Sequence, residues 1–286
     1  MSGILRLIFR EKLCTHGIAR RPEPSSLMEN SGSVAGFHAE GSPEGALVPL
    51  YHFSALVVSQ LLPPGGTLMD LGSGSGQFLT HLARCRSDIR IIGLDLSEAM
   101  IQLGHQSLRS AGLEGRVSLR RGDMTRFSQT APQSVHLVSS IFSLHHLPAM
   151  QDLERCMEEI FNVRSATGCA VWLFDHVRPR HPRTLEDFPE VFTPTSSPLF
   201  KQDSRNSLEA SFSFEDVCRT GEKFFGGMRH ELARLLPLYQ VHWLQRENAT
   251  KHEGHRQWVE PVLSPAARRD YSRFTRLFPG VMKGAL

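Results

Sequence analysis

The chain has 286 residues, of which 40% are hydrophobic, and carries a formal net charge of +3. This length suits one large domain or one and a half, and either can bury a sizeable core. No stretch approaches the roughly 18 consecutive apolar residues of a membrane span, and the small charge does not indicate nucleic acid as a partner. The five cysteines are scattered without a C-x-x-C pair, which favours a reducing, cytoplasmic setting and argues against a structural metal site.

Residues 1–46 are predicted to form an N-terminal cap or lid, and residues 47–286 the main domain. Apolar residues recur at helical spacing between residues 4 and 13, and Pro22 and Pro24 break that helix. Residues 31–45 are rich in Gly, Ser and Ala, as in a flexible linker. We therefore expect a short amphipathic helix and a linker that contribute little to the core.

A second helix is predicted over residues 47–62, where apolar residues recur at helical spacing before the run PPGG. Tyr51 and His52 lie on this helix. Two interpretations are open. In the first, both residues are structural and either pack in the core or reach solvent. In the second, Tyr51 faces the cofactor pocket formed with the next element. The second alternative makes Tyr51 a candidate substrate contact.

The chain is organised around the stretch TLMDLGSGSGQF, residues 67–78. An apolar run ends at three alternating glycines, and a run compatible with a helix follows. Such glycines allow a sharp turn and a close approach to a ligand, while free N–H groups at the helix start favour electron-rich partners. The spacing is G-x-G-x-G instead of the dinucleotide G-x-G-x-x-G, and Asp70 precedes the first glycine by two residues. A carboxylate there suits a cationic ligand better than a pyrophosphate.

This stretch resembles motif I of the class I S-adenosylmethionine-dependent methyltransferases, whose cofactor carries an ammonium and a sulfonium. The strand over residues 90–95 ends in Asp95, about twenty residues beyond the glycine turn, as expected when one helix crosses to a neighbouring parallel strand. Residues 94–100 resemble motif II of the same family. The resemblance implies that Asp95 accepts both ribose hydroxyls and that Leu96 and Met100 flank the adenine, while Ser97 is predicted to cap the next helix.

A third predicted strand, residues 116–120, leads to Asp123, where the family has an acid that receives the adenine amino group. A fourth, residues 136–141, opens into FSLHHLP, which resembles the strand-four segment of small-molecule methyltransferases that ends in paired histidines. Many relatives carry Asn where this chain has Ile141, so the polarity of their substrates does not carry over. The cofactor contacts implied by the resemblance are Asp70, Gly72, Ser73, Gly74, Gly76, Asp95, Leu96, Met100, Asp123, Met124 and Ser140.

A helix over residues 150–162 and a buried strand over 168–174, closed by Asp175, continue the alternation of strands and helices. This order predicts an α/β, Rossmann-like, doubly wound and mainly parallel sheet, and the resemblance implies seven strands with the last two antiparallel. Helices are predicted over 214–225 and 228–236. The sixth strand is placed at 239–244 and the seventh near 257–262.

Residues 176–213 are predicted to be an insertion after strand five, rich in proline and charge. This insertion either shapes the substrate pocket, with Arg178 as a candidate contact, or is a surface excursion. His252 and His255 lie in a polar stretch without a cysteine or carboxylate that completes a metal site, so no metal is expected there.

The resemblance implies transfer of a methyl group from S-adenosylmethionine to N or O of a small-molecule acceptor, with secondary metabolism as its setting. Such an enzyme mainly positions the acceptor, which needs only a nearby proton acceptor. The candidates are His145, His146 and Asp175, although a structural role for the histidines is an equal alternative. Two other functions stay open: an enzyme that uses the aminocarboxypropyl arm of the cofactor and releases methylthioadenosine, and a non-catalytic cofactor-binding module.

Overall fold

The computed structural model describes residues 3–15, 17–24, 31–247 and 257–284. Within them the helices are α1 (Gly3–Leu13), α2 (Ser31–Glu40), α3 (Val48–Leu61), α4 (Gln77–Cys85), α5 (Glu98–Ser110), α6 (Met150–Thr167), α7 (Pro182–Phe192), α8 (Pro198–Ala210), α9 (Phe214–Phe224), α10 (Pro265–Thr275) and α11 (Pro279–Gly284). The strands are β1 (Thr67–Leu71), β2 (Arg90–Asp95), β3 (Val117–Arg121), β4 (Leu137–Ile141), β5 (Ala170–His176), β6 (Arg229–Leu232) and β7 (Tyr239–Leu244). None of these helices is both long and apolar enough to cross a membrane.

The strands form one sheet in the order β3-β2-β1-β4-β5-β7-β6. The first five strands pair in parallel, whereas β7 runs antiparallel to β5 and to β6. Every residue of β1 and β4 is buried, because helices cover both faces of the sheet. The predicted mainly parallel, seven-stranded, doubly wound α/β fold is confirmed.

Two predictions near the C-terminus are wrong. The stretch 228–236, predicted as a helix, contains β6, a short edge strand whose four residues are half-buried or exposed and show no clear two-residue period. The strand predicted as the sixth is therefore β7, the seventh along the chain. Residues 257–262, expected to hold the seventh strand, contribute an isolated bridge between Trp258 and Arg86. His252 and His255 lie outside the described residues.

The N-terminal segment also differs from its prediction. Residues 31–40, predicted as a linker, form α2, which packs on α8 and α5. Helix propensity of the sequence SGSVAGFHAE is low, and tertiary contacts override it. The insertion likewise folds, into α7 and α8.

Apolar side chains form two layers, one on each face of the sheet. Leu68 belongs to the first layer and Met69 to the second, as expected when alternate strand residues face opposite sides. Leu7 of α1 is 0% exposed and belongs to the first layer, together with Phe53 and Phe174. The expectation that the N-terminal segment contributes little to the core is therefore wrong for α1.

Candidate active site

The glycine turn joins β1 to α4 at the carboxyl edge of the sheet. Gly72, Gly74 and Gly76 have φ angles of 69°, 54° and 71°, a region in which any other L-residue is strained. The backbone N–H of Ser73 donates to the Leu94 carbonyl at 2.8 Å, which fixes the turn against the end of β2. This explains why glycine stands at each of the three alternating positions.

Asp70 is a buried carboxylate directly before this turn, with 2% of its surface exposed. Its Oδ1 accepts a hydrogen bond of 2.5 Å from the Ser139 hydroxyl. Burial nevertheless raises the pKa of Asp70 to about 7, and the nearby charge of Asp95 acts in the same direction. A cation next to Asp70 would stabilise its charged form.

Asp95 at the end of β2 braces the turn. Its Oδ2 accepts from the Gly74 N–H at 2.6 Å, and its Oδ1 accepts from the Ser97 N–H at 2.8 Å. Burial raises the pKa of Asp95 although both hydrogen bonds favour its charged form. The Ser97 hydroxyl caps α5 by accepting from the Met100 N–H at 3.2 Å, as predicted.

Two of the remaining predicted cofactor contacts, Met100 and Met124, lie against the turn. A Cβ atom built on Gly74 would be 4.0 Å from the Met100 sulfur, and one on Gly72 would be 3.1 Å from the Met124 methyl. Asp123 Oδ1 accepts from the N–H and the hydroxyl of Thr125, at 2.8 and 2.7 Å. Leu96 directly follows Asp95 and is 65% exposed, so its contact with the adenine stays a prediction.

Helix α2, in the stretch predicted as a linker of the cap, lies across the glycine turn. His38 Nδ1 is 2.8 Å from the Ser75 hydroxyl, and Gln77 Nε2 is 2.9 Å from the same imidazole nitrogen. A Cβ on Gly74 would be 3.9 Å from the Phe37 ring. Tyr51 of α3 is buried nearby, and burial, followed by the charge of Asp70, raises the pKa of its phenol.

The segment after β4 begins against the glycine turn. The Ser143 hydroxyl donates to the Leu71 carbonyl at 2.7 Å and is 2.6 Å from the Ser140 hydroxyl. A Cβ on Gly72 would stand 2.3 Å from the Ser143 Cβ, so the two backbones approach closely. Phe142 has a positive φ of 53°, which redirects the chain toward the histidines at Leu144–His146.

His145 and Asp175 form a buried pair, with 3% and 4% of their side chains exposed. The imidazole Nδ1 is 2.6 Å from Asp175 Oδ1, and the His145 backbone N–H donates to Asp175 Oδ2 at 3.1 Å. Burial disfavours the charged carboxylate, but His145 and His176 together outweigh this effect and hold the pKa of Asp175 below its usual value. Asp175 therefore fixes the orientation of the imidazole.

Glu23 completes this cluster, and the sequence did not single it out. Its carboxylate pairs with His146 Nδ1, accepts from the Ser207 hydroxyl at 2.7 Å, and approaches His145 Nε2 to 4.0 Å. The Glu23 side chain is 5% exposed, and despite this burial the two histidines lower its pKa to about 2. The ion pair in turn raises the pKa of His146, to which the charges of Asp175 and Asp95 also contribute.

Two arginines hold the N-terminal segment in this position. The Arg20 guanidinium stacks on the Phe212 ring, 3.9 Å from its centroid. Arg178 donates to the Ile18 carbonyl at 3.0 Å and the Ser211 carbonyl at 2.9 Å, so its guanidinium connects the N-terminal segment to the insertion instead of joining the His145–Asp175 pair. Arg20 donates to the carbonyls of His145, Leu147, Pro148 and Ala210.

Residues 68–168, which contain the glycine turn, Asp95 and both histidines, match the family described as "Methyltransferase domain". The chain contains a class I, S-adenosylmethionine-dependent methyltransferase domain. The domain is similar to demethylmenaquinone methyltransferases: that of Bacteroides fragilis is 24% identical over 139 residues, covering 48% of this chain and 55% of the relative. That of Lactobacillus johnsonii is 28% identical over 119 residues, 41% of this chain and 47% of the relative. The chain thus spans about half the length of the curated relatives it matches.

Solved methyltransferases share the fold. A SAM-dependent methyltransferase from Aquifex aeolicus matches with a TM-score of 0.52 and 15% identity, over 75% of this chain and 97% of the other. The plantazolicin methyltransferase BpumL, in complex with a monoazolic desmethylPZN analog and SAH, matches with a TM-score of 0.57 and 11% identity, over 85% of this chain and 98% of the other. At these identities the likeness concerns the fold alone.

Proposed function

We propose that this protein transfers the methyl group of S-adenosylmethionine to a nitrogen or oxygen of a small-molecule acceptor, with secondary metabolism as its setting. The observation that carries this proposal is the buried pair of His145 and Asp175. His145 follows Ser143 by two residues, and Ser143 contacts the glycine turn. A proton acceptor is thereby held beside the cofactor motif, at the sheet edge where ligands of open α/β sheets bind.

The residues around the turn fit the cofactor. Asp70 offers a buried carboxylate for the cofactor's ammonium, and Asp95 offers oxygens for the ribose diol. The glycine backbone allows a close approach, and Met100, which lies beside Gly74, and Asp123 are the proposed contacts for the adenine. When bound, the cofactor supplies an activated methyl group, so the chain itself has to supply position and proton transfer.

His145 is proposed as the proton acceptor. Asp175 keeps the proton of the neutral imidazole on Nδ1, which leaves the Nε2 lone pair free to accept a proton from an amine or a phenol. The Glu23 carboxylate, 4.0 Å from Nε2, stabilises the imidazolium that results. His146 pairs directly with Glu23 and is proposed to position that carboxylate.

Residues 1–46 are proposed to act as a cap that completes the site. In the described residues, the cap supplies Glu23 to the histidine cluster and places α2 across the glycine turn. Its apposition to the turn would exclude water from the reacting groups. Arg178 and Tyr51 are retained as proposed contacts for the acceptor at the borders of this cap.

The proposal is tested by incubating the protein with isotope-labelled S-adenosylmethionine and a metabolite extract, followed by mass spectrometry. We expect a methylated product and S-adenosylhomocysteine, whereas methylthioadenosine would indicate use of the aminocarboxypropyl arm. His145→Gln should slow turnover by about 10² to 10⁴-fold without weakening cofactor binding, and His105→Gln on α5 serves as the control. Cofactor binding without any turned-over acceptor would favour the non-catalytic module.

A further inference from the structure

A second group of potential ligands lies between α3 and α4, behind the glycine turn. His52 belongs to α3, and His81 and Cys85 are four residues apart on α4, so the latter two share one face of the helix. One ligand atom from each residue lies within 4.8 Å of the others. Cys85 is 0% and His52 2% exposed, while His81 is half-buried and leaves a path to solvent.

The spacing of the two imidazoles matches a shared ion. His52 Nδ1 and His81 Nε2 are 3.3 Å apart, which is long for a hydrogen bond between nitrogens. Two nitrogens bound tetrahedrally to one Zn²⁺ at about 2.05 Å would be about 3.3 Å apart. The observed distance therefore equals the separation expected of two nitrogen ligands on one ion.

The surroundings of His52 have the form of an outer ligand shell. Its Nε2 is 3.4 Å from the Glu260 carboxylate, which favours the proton on Nε2 and leaves the Nδ1 lone pair directed toward His81. The Tyr271 ring lies 4.5 Å and the Trp258 ring 5.9 Å from the imidazole, centroid to centroid. These contacts orient the His52 ring.

The two imidazoles and the thiol differ in how readily they would take their ligating form. Burial lowers the pKa of His81 to about 4, with His52 and Arg84 acting in the same direction, and burial also lowers the pKa of His52 although Glu260 opposes it. Both shifts favour the neutral, ligating form of the imidazoles. Burial, with a further contribution from Glu260, raises the pKa of Cys85 to about 12. A bound dication would displace the thiol proton to solvent and compensate the thiolate, without any change of oxidation state.

Two other clusters in the described residues are less open to an ion. His230 and His242 face each other with their Nδ1 atoms 2.6 Å apart, a closed hydrogen bond beside Cys218. Glu23, His145 and His146 already pair with one another in the candidate active site.

We propose that His52, His81 and Cys85 bind one divalent transition-metal ion, with Zn²⁺ the best match to two imidazoles and a thiolate and with a fourth position left for water. The ion would fasten α3 and the segment of Trp258 and Glu260 to α4, the helix that begins at the glycine turn. Spacing along the sequence does not reveal this set, because its members come from two helices. The site is independent of the proposed methyl transfer.

The test uses the full chain after removal of metal with a chelator, and Co²⁺ as the spectroscopic probe. We expect one equivalent of Co²⁺ to produce a thiolate-to-cobalt charge-transfer band that Zn²⁺ abolishes. Cys85→Ser should lose the band, and Glu260→Gln should weaken Co²⁺ binding by about 10 to 100-fold. Cys218→Ser, at the competing cluster, is the matched control and should behave as the parent.

Thermal unfolding gives a second readout that does not depend on activity. Zn²⁺ should raise the Tm of the parent and of Cys218→Ser, but not that of Cys85→Ser or His81→Gln. If Cys85→Ser fails to fold by circular dichroism, the half-buried His81 and the exposed Glu260 provide the decisive variants. A parent that gives no charge-transfer band, or a band that survives in Cys85→Ser or disappears in Cys218→Ser, would overturn the proposal.

Discussion

Asp70, Asp95 and Asp175 lie at or near the carboxyl ends of hydrophobic strands. Each buried carboxylate is stabilised by different hydrogen-bond partners. Asp95 accepts two backbone N–H groups, and Asp175 pairs with an imidazole. Asp70 receives a hydroxyl hydrogen bond and keeps a pKa raised to about 7. Among the three, Asp70 is therefore the carboxylate that gains most from a cationic ligand.

Cofactor affinity should consequently depend on pH through Asp70. A carboxylate with a pKa of about 7 is mostly neutral below that pH, so it attracts an ammonium group only as the pH rises. We expect affinity for S-adenosylmethionine to increase up to about tenfold per pH unit between pH 5 and 7 and then to level off. Calorimetry at several pH values measures this, and Asp70→Asn should bind weakly with no slope. An equal slope in both proteins would contradict the assignment.

Glu23 permits a prediction about stability. Its pKa in the folded protein, about 2, is below the ordinary value of 4.5, so its contribution is complete above pH 4.5 and is lost as the pH falls to 2. Glu23→Gln should lower the free energy of unfolding by about 3 kcal/mol at pH 6, and the difference from the parent should shrink toward pH 2. Urea unfolding at pH 6 and pH 3 measures it, with the exposed Glu98→Gln as control. A difference that does not change with pH would show that the ion pair is not its source.

At the scale of helices and strands, the sequence predicts those elements whose conformation is determined by residues adjacent in the chain. The glycine turn, the Ser97 cap and the bounds of β2 follow from residues adjacent in the chain. Helix α2 and strand β6 do not, because their own residues favour neither state and their partners lie far along the chain. The role of Glu23 likewise does not follow from its neighbours in the sequence, because its partners His146 and Ser207 lie far along the chain.

The glycine turn offers a matched pair of substitutions. Gly74 and Gly112 have φ angles of 54° and 66°, and a Cβ would clash with its surroundings at neither position, so alanine should cost a similar amount, about 1–2 kcal/mol. Only Gly74→Ala should also weaken cofactor binding, by at least tenfold, because its Cβ lies where the backbone meets the ligand. Thermal unfolding and calorimetry on both variants separate the effects. Unchanged affinity in Gly74→Ala would remove the turn from the binding site.

At the scale of the whole molecule, the N-terminal segment joins the glycine turn, the histidine cluster and the insertion. Glu11 of α1 is 1% exposed and accepts from the Thr184 hydroxyl at 2.5 Å and the Arg180 N–H at 2.8 Å. Arg20 and Glu23 continue these contacts toward the sheet edge. The segment is thus bound by buried polar groups as well as by Leu7.

Arg20 should be the strongest of these attachments. Arg20→Ala removes hydrogen bonds to four carbonyls and the stacking on Phe212, and we expect a loss of about 3 kcal/mol in the free energy of unfolding. Limited proteolysis should then cut the N-terminal segment sooner, and turnover should fall with it. Arg21→Ala, at an exposed neighbouring side chain, should change stability by no more than about 0.5 kcal/mol. Equal behaviour of the two variants would argue against Arg20 as the anchor.

The pairing of Glu23 also limits when, during synthesis of the chain, the native contacts of the histidine cluster can form. Its partners His146 and Ser207 follow it by 123 and 184 residues. The Ala210 carbonyl, to which Arg20 donates, follows Arg20 by 190 residues. During translation, residues 20–23 therefore leave the ribosome long before these partners have been made. Glu23 cannot reach Ser207, and Arg20 cannot reach the Ala210 carbonyl, until α8 has been synthesised. Although Glu23 is made early, a nascent chain therefore cannot complete its histidine cluster before α8 has left the ribosome.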